Sequence, residues 1–433
     1  MKAQAATKPD SFRQNLLALY LVQAASYVIP LLVLPFLVRA VGIERFGLIA
    51  FAQAVAQYFV FAVDAGFNNN AAREIAVRRD QPGAVLEVYW ATQAVRGVVL
   101  LLSTILFLVL LYWVPSLTAH WQLYLVSFAA VWGTYAFSPW LYQGLEQMRL
   151  IAVLQVGGRL IAGAALLLLV REPDDYVLAG GLQASATLIS GILGLAVCFR
   201  KGLLRWQRPR MTSIRAMLQQ GGRLFWSEFL GTCVSSSGVF VLGLVASNAV
   251  IGAYAAVEKL IRAVMTGYLP LSQALLPRAA NLLSSAPLAE RAWRWMVTLT
   301  LAALVSASVG AGMVSVYADD ILAIAFGPDL VAYGMLLVLM IWILPIDVAN
   351  VALGQLFVFA AGYRKSYADA LATAAAVQGA VSLALILPLG AYGIAIAFLA
   401  GELCMAGMLL RATAQIRRRP SFGTATAPGG AAA

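Results

Sequence analysis

The sequence predicts an all-α integral membrane protein with about 12 transmembrane helices in two six-helix lobes around a central cavity. Of its 433 residues, 62% are hydrophobic and only 11% are charged, and the mean hydropathy is +0.83. The apolar residues form runs of roughly 20, the length of helix that crosses the hydrocarbon core of a bilayer. Lys and Arg concentrate in every second gap between these runs. This combination excludes a water-soluble globular protein.

Cutting the sequence at its polar gaps gives 12 segments. The first follows a polar arm, residues 1–15, and is too long for the apolar part of a signal peptide, so we count it as a span that is retained. An even number of spans places both termini on the same side of the membrane. The segments begin near Leu16, Gly47, Val88, Gln122, Leu150, Val177, Leu224, Ile251, Trp293, Val331, Tyr367 and Ala391.

The distribution of positive charge gives the orientation. Twenty-three of the 30 Lys and Arg residues lie on the side of the termini, and only Arg39, Arg45 and Arg171 lie in gaps on the opposite side. The positive-inside rule therefore predicts that both termini are cytoplasmic. We assign the formal net charge of +11 to contact with anionic membrane lipids, so nucleic acid is not an expected partner.

The longest charged gap divides the chain into its lobes. Within this gap, residues 211–220 fit a short amphipathic helix on the membrane surface, with Arg215 reaching the lipid headgroups. The predicted regions are an N-terminal six-helix lobe, 1–198, a basic cytoplasmic linker, 199–222, a C-terminal six-helix lobe, 223–411, and a disordered cytoplasmic tail, 412–433.

Five prolines fall inside the predicted spans. Proline removes a backbone donor and bends a helix, so these positions are either ordinary packing kinks or bends that let two lobes rock around the cavity. They are Pro30, Pro35, Pro139, Pro270 and Pro345.

Four cations remain inside the predicted spans, where a charge facing lipid costs at least about 2–3 kcal/mol. We interpret Arg96, Arg159, Lys259 and Arg262 as a cationic substrate-binding surface. Arg96 and Arg159 lie deep in their spans beside glycines, which favours a position lining the cavity. The alternative is a structural ion pair, for which Asp64 is the obvious partner of Arg96.

Glu258 and Arg262 are one helical turn apart, so one interpretation is that they neutralise each other. Lys259 is rotated by about 100° from Glu258 and needs another acceptor, for which a substrate phosphate is suitable.

Five acidic residues lie at comparable depth. Each is a candidate for binding a coupling proton or sodium ion, and each is equally a candidate for a carboxylate that is satisfied in the protein interior. They are Asp64, Glu228, Glu258, Asp347, which shares a proline-kinked span with Asn350, and Glu402.

The residues that usually carry enzymatic chemistry are sparse. His120 is the single histidine, and the three cysteines have no close spacing. We therefore predict no metal site and no cofactor. The outer loops are short and carry no catalytic constellation, so we predict a protein that is not an enzyme.

Particular residues in three regions carry a family resemblance. The second lobe contains Gly252-Ala253-Tyr254-Ala255-Ala256-Val257-Glu258-Lys259-Leu260-Ile261-Arg262, then Leu275-Leu276-Pro277-Arg278, and Gly390-Ala391-Tyr392-Gly393 precedes the last span. The first two spans contain Asn15, Tyr27, Pro30, Pro35, Arg39, Val41-Gly42, Phe46-Gly47, Gln53, Tyr58, Asp64-Ala65-Gly66-Phe67 and Arg73-Glu74. With these residues the chain resembles bacterial polysaccharide flippases, the O-antigen and exopolysaccharide-repeat exporters of the multidrug/oligosaccharidyl-lipid/polysaccharide superfamily.

The resemblance implies a function and a location. The usual substrate of that family is an undecaprenyl-pyrophosphate-linked oligosaccharide, which is turned from the cytoplasmic to the outer leaflet of the bacterial inner membrane. Alternating access of the two lobes, with a possible proton or sodium gradient as driving force, is the implied mechanism. Lipid-linked oligosaccharide, membrane lipids and other polysaccharide-assembly membrane proteins are the implied partners.

The residues leave other functions open. A cation-coupled multidrug exporter of the same superfamily is the nearest, although four cations in the spans argue against a cavity built for organic cations. A lipid II flippase or a teichoic-type exporter is a variant of the same class. A membrane glycan polymerase or ligase needs a large outer loop, which the sequence lacks. A membrane scaffold is disfavoured because charged residues inside its spans would cost free energy without serving a function.

Overall fold

All of the secondary structure described in the computed structural model is helical. Within helix α1, side chains are described from Val28 onward. The described residues are 12–64, 66–219, 221–222, 225, 237–266, 275–276, 279, 281 and 289–418.

The first two predicted spans form one interrupted helix, α1, from Phe12 to Asp64. Its interruption lies at Gly42, where φ is 77° and ψ is 161°, a backbone conformation that is essentially restricted to glycine. Gly42 therefore ends the first span and lets the second begin, four residues before the predicted Phe46-Gly47 start.

The N-terminal region continues with short helices between long ones. Its main contacts join α1 to α5 and α7, and α8 to α5 and α7. The helices are α2 (Asn68–Val77), α3 (Pro82–Trp113), α4 (Pro115–Thr118), α5 (Trp121–Ala136), α6 (Pro139–Gly144), α7 (Met148–Leu169) and α8 (Tyr176–Arg200). A 3₁₀ turn, Pro173–Asp175, precedes α8.

The position predicted for Pro139, inside the fourth span, is wrong. The helix of that span, α5, ends at Ala136, and Pro139 is the first residue of the separate helix α6. The first helical position tolerates proline because its N–H has no partner within the helix.

The C-terminal region contains the remaining helices. α10 packs against α13, α14 and α16, and α14 packs against α16. The helices are α9 (Ser237–Gly243), α10 (Asn248–Thr266), α11 (Ala289–Val316), α12 (Ala318–Phe326), α13 (Gly334–Ile341), α14 (Ile343–Ala352), α15 (Arg364–Leu389) and α16 (Ala391–Arg418). The π-helix Leu353–Phe359 continues α14, and the 3₁₀ helix Pro328–Tyr333 precedes α13.

Eight helical stretches in the described part of the chain are long and apolar enough to cross a membrane. They contain nine of the twelve predicted spans, because the stretch Val28–Val77 includes the first two. The fourth span is the 16-residue helix α5, and the eighth is α10, which carries three charged residues over 19 positions. Much of the seventh span, including Glu228, lies outside the described residues, as does Pro270. The chain is an all-α, multi-pass membrane protein.

Contacts divide the chain into two units, residues 1–240 and 241–433. The predicted linker belongs with the first unit, because Leu204 and Met217 are buried in its hydrophobic core. The amphipathic helix expected over 211–220 is present over 211–219. In the second unit α16 continues seven residues beyond the predicted end of the lobe at 411, and Thr413 and Ile416 are buried there.

Candidate functional site

Arg96 is the one charged residue in the described part of the chain whose side chain is fully buried. Its guanidinium donates to the backbone carbonyl oxygens of Val63 at 3.2 Å, Thr134 at 2.7 Å and Tyr135 at 3.4 Å. These carbonyls belong to the last turns of α1 and α5, where no donor within the helix is available. Arg96 therefore caps the C-terminal ends of two helices, a position that favours positive charge.

Two side chains complete the environment of Arg96. Asp64 accepts a hydrogen bond from Nη2 at 3.2 Å and Gln93 accepts one from Nη1 at 3.3 Å, so that five contacts use the donor capacity of the guanidinium. The Asp64 side chain is 39% exposed. The ion pair considered as the alternative for Arg96 is therefore present. A role for Arg96 in binding substrate stays a prediction, and it requires the side chain to leave this buried position.

Arg159 lies in the middle of α7 and is half-buried. Of the two glycines that precede it, Gly157 faces open space, whereas Gly158 packs against Ser190 and the carbonyl of Ala186 on α8. The room that the sequence predicted beside Arg159 is therefore present on one side only. On the other side glycine permits the close contact of α7 and α8.

Glu258 and Arg262 form a salt bridge along α10. Glu258 Oε1 lies 2.9 Å from Nε and 2.8 Å from Nη2 of Arg262. The Glu258 side chain is 12% exposed and the Arg262 side chain 41% exposed, and the guanidinium carbon lies 5.6 Å from the ring centre of Phe398. Lys259, the next residue on the helix, is half-buried.

Asn350 and Glu402 join α14 to α16. The Asn350 side-chain amide donates to Glu402 Oε2 at 2.7 Å and to the Glu402 backbone oxygen at 2.9 Å. Asn350 is only 1% exposed, and its Oδ1 has no hydrogen-bond partner among the described atoms. Asp347 lies one turn earlier on α14, close enough to Glu402 and Arg262 for their charges to interact.

Local sequence explains this arrangement. Pro345 lies in the first turn of α14, where it is tolerated, and the helix widens into a π-helix at Leu353, a feature frequent at functional sites. On α16, Gly401 allows α15 to approach, since a Cβ at this position would lie 3.0 Å from Cβ of Gln378. Three helices thus bring together the residues that we call the unit 2 charge cluster: Glu258, Arg262, Asp347, Asn350 and Glu402.

The structure separates the predicted acidic candidates into two groups. Asp64 and Glu258 each form a salt bridge, with Arg96 and Arg262 respectively. Asp347 and Glu402 form no salt bridge with a described residue, and Glu228 lies outside the described residues. Within the described residues no group of His, Cys, Asp and Glu has the arrangement of a metal site.

The predicted site residues did not include Asn350, whose amide holds Glu402 in place. A signal was present, because Asn350 follows Asp347 by three positions and so shares its helix face. The pairing of Asn350 with Glu402, 52 residues away, depends on tertiary packing and has no local signature.

Sequence comparison identifies relatives of this chain. Residues 12–283 match the family described as polysaccharide biosynthesis protein. A putative O-antigen transporter of Escherichia coli K12 is 31% identical over 279 residues, which are 64% of this chain and 67% of that protein. A putative O-antigen transporter of Shigella dysenteriae is 29% identical over 273 residues, 62% of this chain and 68% of that protein.

Structural comparison shows the fold. An inward-facing multidrug resistance transporter of the MATE family, in the MOP superfamily, has a TM-score of 0.67 at 11% identity, with 92% of this chain and 98% of that chain covered. The lipid II flippase MurJ in an inward closed conformation has a TM-score of 0.69 at 11% identity, with 92% and 87% covered. The described chain shares the all-α membrane fold of these transporters.

Proposed function

Since the chain belongs to the polysaccharide biosynthesis protein family, we propose that it is a flippase that moves a lipid-linked oligosaccharide across the membrane. The observation that carries this proposal is the extent of the family match, which includes all four cations of the spans, Arg96, Arg159, Lys259 and Arg262. Two relatives named as putative O-antigen transporters support it. The protein is a transporter and not a membrane glycan polymerase or ligase.

The proposed substrate is an undecaprenyl-pyrophosphate-linked repeat unit of O-antigen or exopolysaccharide. Such a molecule has a pyrophosphate between a polar glycan and a long apolar chain. The half-buried cations Arg159, Lys259 and Arg262 suit the pyrophosphate, because arginine binds phosphate oxygens as a fork and lysine binds them as a point charge. The apolar chain can stay in the lipid while the headgroup crosses.

The proposed transport runs from the cytoplasmic to the outer leaflet of the bacterial inner membrane by alternating access, with both termini cytoplasmic. We place a coupling ion, a proton or sodium, at Asp347 and Glu402. These two carboxylates have no described cationic partner within 4 Å, and Glu402 accepts a hydrogen bond from the side-chain amide of Asn350, whose own Oδ1 is buried without a described partner. A negatively charged pair in a membrane is a suitable site for a cation.

The fold alone does not separate this proposal from a cation-coupled multidrug exporter, because the MATE transporter and the lipid II flippase have nearly equal TM-scores. The four cations in apolar helices favour an anionic substrate over organic cations.

Reconstitution tests the proposal directly. Purified protein in proteoliposomes is given a fluorescent polyprenyl-pyrophosphate oligosaccharide in one leaflet, and access of a membrane-impermeant sugar-modifying reagent measures its transfer. We expect protein-dependent transfer that falls at least tenfold in Arg159→Gln and Lys259→Gln, with Arg78→Gln, an exposed residue paired with Glu74, as the control. Efflux of organic cations without transfer of any glycan lipid assigns drug export instead.

A further inference from the structure

The basic segment that follows α8, residues 201–219, is held firmly against the rest of the first unit. Leu204 is 3% exposed and Met217 is 6% exposed, and both lie in the core beside Cys198. The indole N–H of Trp90 on α3 donates to the backbone oxygen of Arg205 at 2.8 Å. Although residues 203–210 form no helix or strand, their path past the start of α3 is therefore fixed at several points.

Glu87 on α3 fixes the far end of this path. Its Oε1 accepts the backbone N–H of Arg210 at 2.6 Å, and its Oε2 accepts the side-chain amide of Gln207 at 3.0 Å. Glu87 thus caps the start of the helix over 211–219, where a negative charge is favourable. Because both of its oxygens are engaged in this way, Glu87 leaves the more distant cations of the segment unneutralised.

The outer surface of the segment is cationic and aromatic. Arg205, Arg208 and Arg215 are exposed, and none of their side chains has a salt bridge with a described carboxylate. The sequence contains no Asp or Glu from 176 to 227. Trp206 is 73% exposed, and its ring lies 4.6 Å from that of Trp90 in an edge-to-face contact. We call Arg205, Trp206, Arg208 and Arg215 the arginine–tryptophan surface.

We propose that the arginine–tryptophan surface is a binding site for anionic phospholipid of the adjoining leaflet. It lies where α3 begins and α8 ends, and both helices belong to stretches that can cross a membrane. Tryptophan concentrates at the interface between lipid and water, where its ring contacts apolar chains and its N–H contacts polar groups. Exposed arginines beside it bind headgroup phosphates.

This proposal does not depend on the transported substrate. A surface that binds resident phospholipid holds residues 203–219 of the first unit at one depth of the membrane, whatever crosses the protein. Phosphate on a polyprenyl carrier shares the same chemistry, so the experiment must separate the two sources.

The experiment measures lipid binding to the full-length protein in nanodiscs of phosphatidylcholine. Fluorescent phosphatidylglycerol is titrated into wild-type protein and into the variant Arg205→Gln, Arg208→Gln, Arg215→Gln. Each arginine near a membrane surface contributes a factor of about five, so the triple variant should bind phosphatidylglycerol on the order of 100-fold more weakly. Adding Trp206→Ala to the triple variant should weaken the binding of phosphatidylglycerol further.

Controls keep the test decisive. The variant Arg78→Gln, Arg79→Gln removes two exposed arginines that pair with Glu74 and Glu146, and it should change the affinity less than twofold. Thermal unfolding in phosphatidylcholine alone should be unchanged in the triple variant, since its three side chains form no described salt bridge. Equal affinity of wild type and triple variant for phosphatidylglycerol overturns the proposal, as does preferential binding of a polyprenyl pyrophosphate added at the same concentration.

Discussion

Arg96 Nη2 lies 3.2 Å from Asp64 Oδ1, and the two residues differ sharply in exposure, since Arg96 is fully buried and the Asp64 side chain is 39% exposed. The carboxylate therefore keeps part of its hydration while it neutralises a cation that has none. The remaining donors of Arg96 are used on helix ends. This geometry makes Arg96 a structural centre of the first unit, at which α1, α3 and α5 meet.

We predict that breaking this pair destabilises the protein. Asp64→Asn leaves a buried cation without its counter-charge, and Arg96→Gln leaves the carbonyls of Val63 and Thr134 without donors. Because the pair is buried only on the side of Arg96, each change should cost less than a fully buried ion pair would, on the order of 2–3 kcal/mol. The measurement is unfolding of the purified variants in one detergent, monitored by tryptophan fluorescence.

The double variant provides the check. When both residues are replaced, the loss should be clearly smaller than the sum of the two single losses, because residues in one ion pair are energetically coupled. Strictly additive losses would show that the pair itself contributes nothing. Arg78→Gln, in an exposed pair with Glu74, should change stability by no more than about 0.5 kcal/mol.

The Glu258–Arg262 pair permits a different prediction, since Arg262 is 41% exposed and so remains accessible to a ligand. If Arg262 binds the pyrophosphate of the substrate, Arg262→Gln should lower the rate of glycan-lipid transfer at least tenfold. Glu258→Gln should keep or raise the rate, because it removes a carboxylate 2.8 Å from the guanidinium. Transfer rates in proteoliposomes with equal protein content decide between these outcomes.

An equal loss of transfer in Glu258→Gln and Arg262→Gln would instead identify the pair as structural. Thermal unfolding of both variants separates the two cases, because a pair that acts only by stabilising α10 must lower the unfolding temperature in both. A binding role for Arg262 predicts that folding is nearly unchanged, as expected for an i, i+4 pair that is partly in solvent.

Much of the fold follows from sequence because a bilayer imposes a single solution on the backbone, in which each apolar run forms a helix. Charges within those runs pointed to an ion pair of Arg96 with Asp64 and of Glu258 with Arg262 as the alternatives to a binding role, and both salt bridges are present. Local sequence could not predict which backbone carbonyls Arg96 caps. Val63 and Thr134 belong to helices that are distant in sequence from Arg96. The same holds for Asn350, whose partner lies on α16.

Two glycines with nearly the same positive φ give a matched test of packing. Gly42 has φ +77° and open space around its Cβ position, whereas Gly66 has φ +76° and a Cβ there would lie 2.7 Å from the Gly221 oxygen and 2.8 Å from the Phe225 nitrogen. Gly42→Ala should cost about 1–3 kcal/mol through backbone strain alone. Gly66→Ala should lower the unfolding temperature further, because the backbone at residues 221 and 225 must also move. Equal shifts for the two variants would contradict this account of Gly66.

Glu402 provides the test of ion coupling. Glu402→Gln removes a negative charge and keeps an oxygen to accept the hydrogen bond from the Asn350 amide, which now lies 2.7 Å from Oε2. The variant should therefore fold normally and bind the glycan lipid, yet lose the acceleration that an imposed proton or sodium gradient gives to transfer. The measurement compares initial transfer rates in proteoliposomes with and without each gradient.

Asn350→Ala is the matched control for this prediction. It removes the hydrogen bond but keeps the carboxylate of Glu402. Any loss should therefore affect the transfer rates with and without a gradient equally, so that their ratio is unchanged. Asp347→Asn should act like Glu402→Gln, because both remove a negative charge from the same cluster. If Glu402→Gln and Asp347→Asn both keep the wild-type ratio of the transfer rate with a proton or sodium gradient to the rate without one, the coupling ion does not bind at these carboxylates. Transfer is then driven by another step.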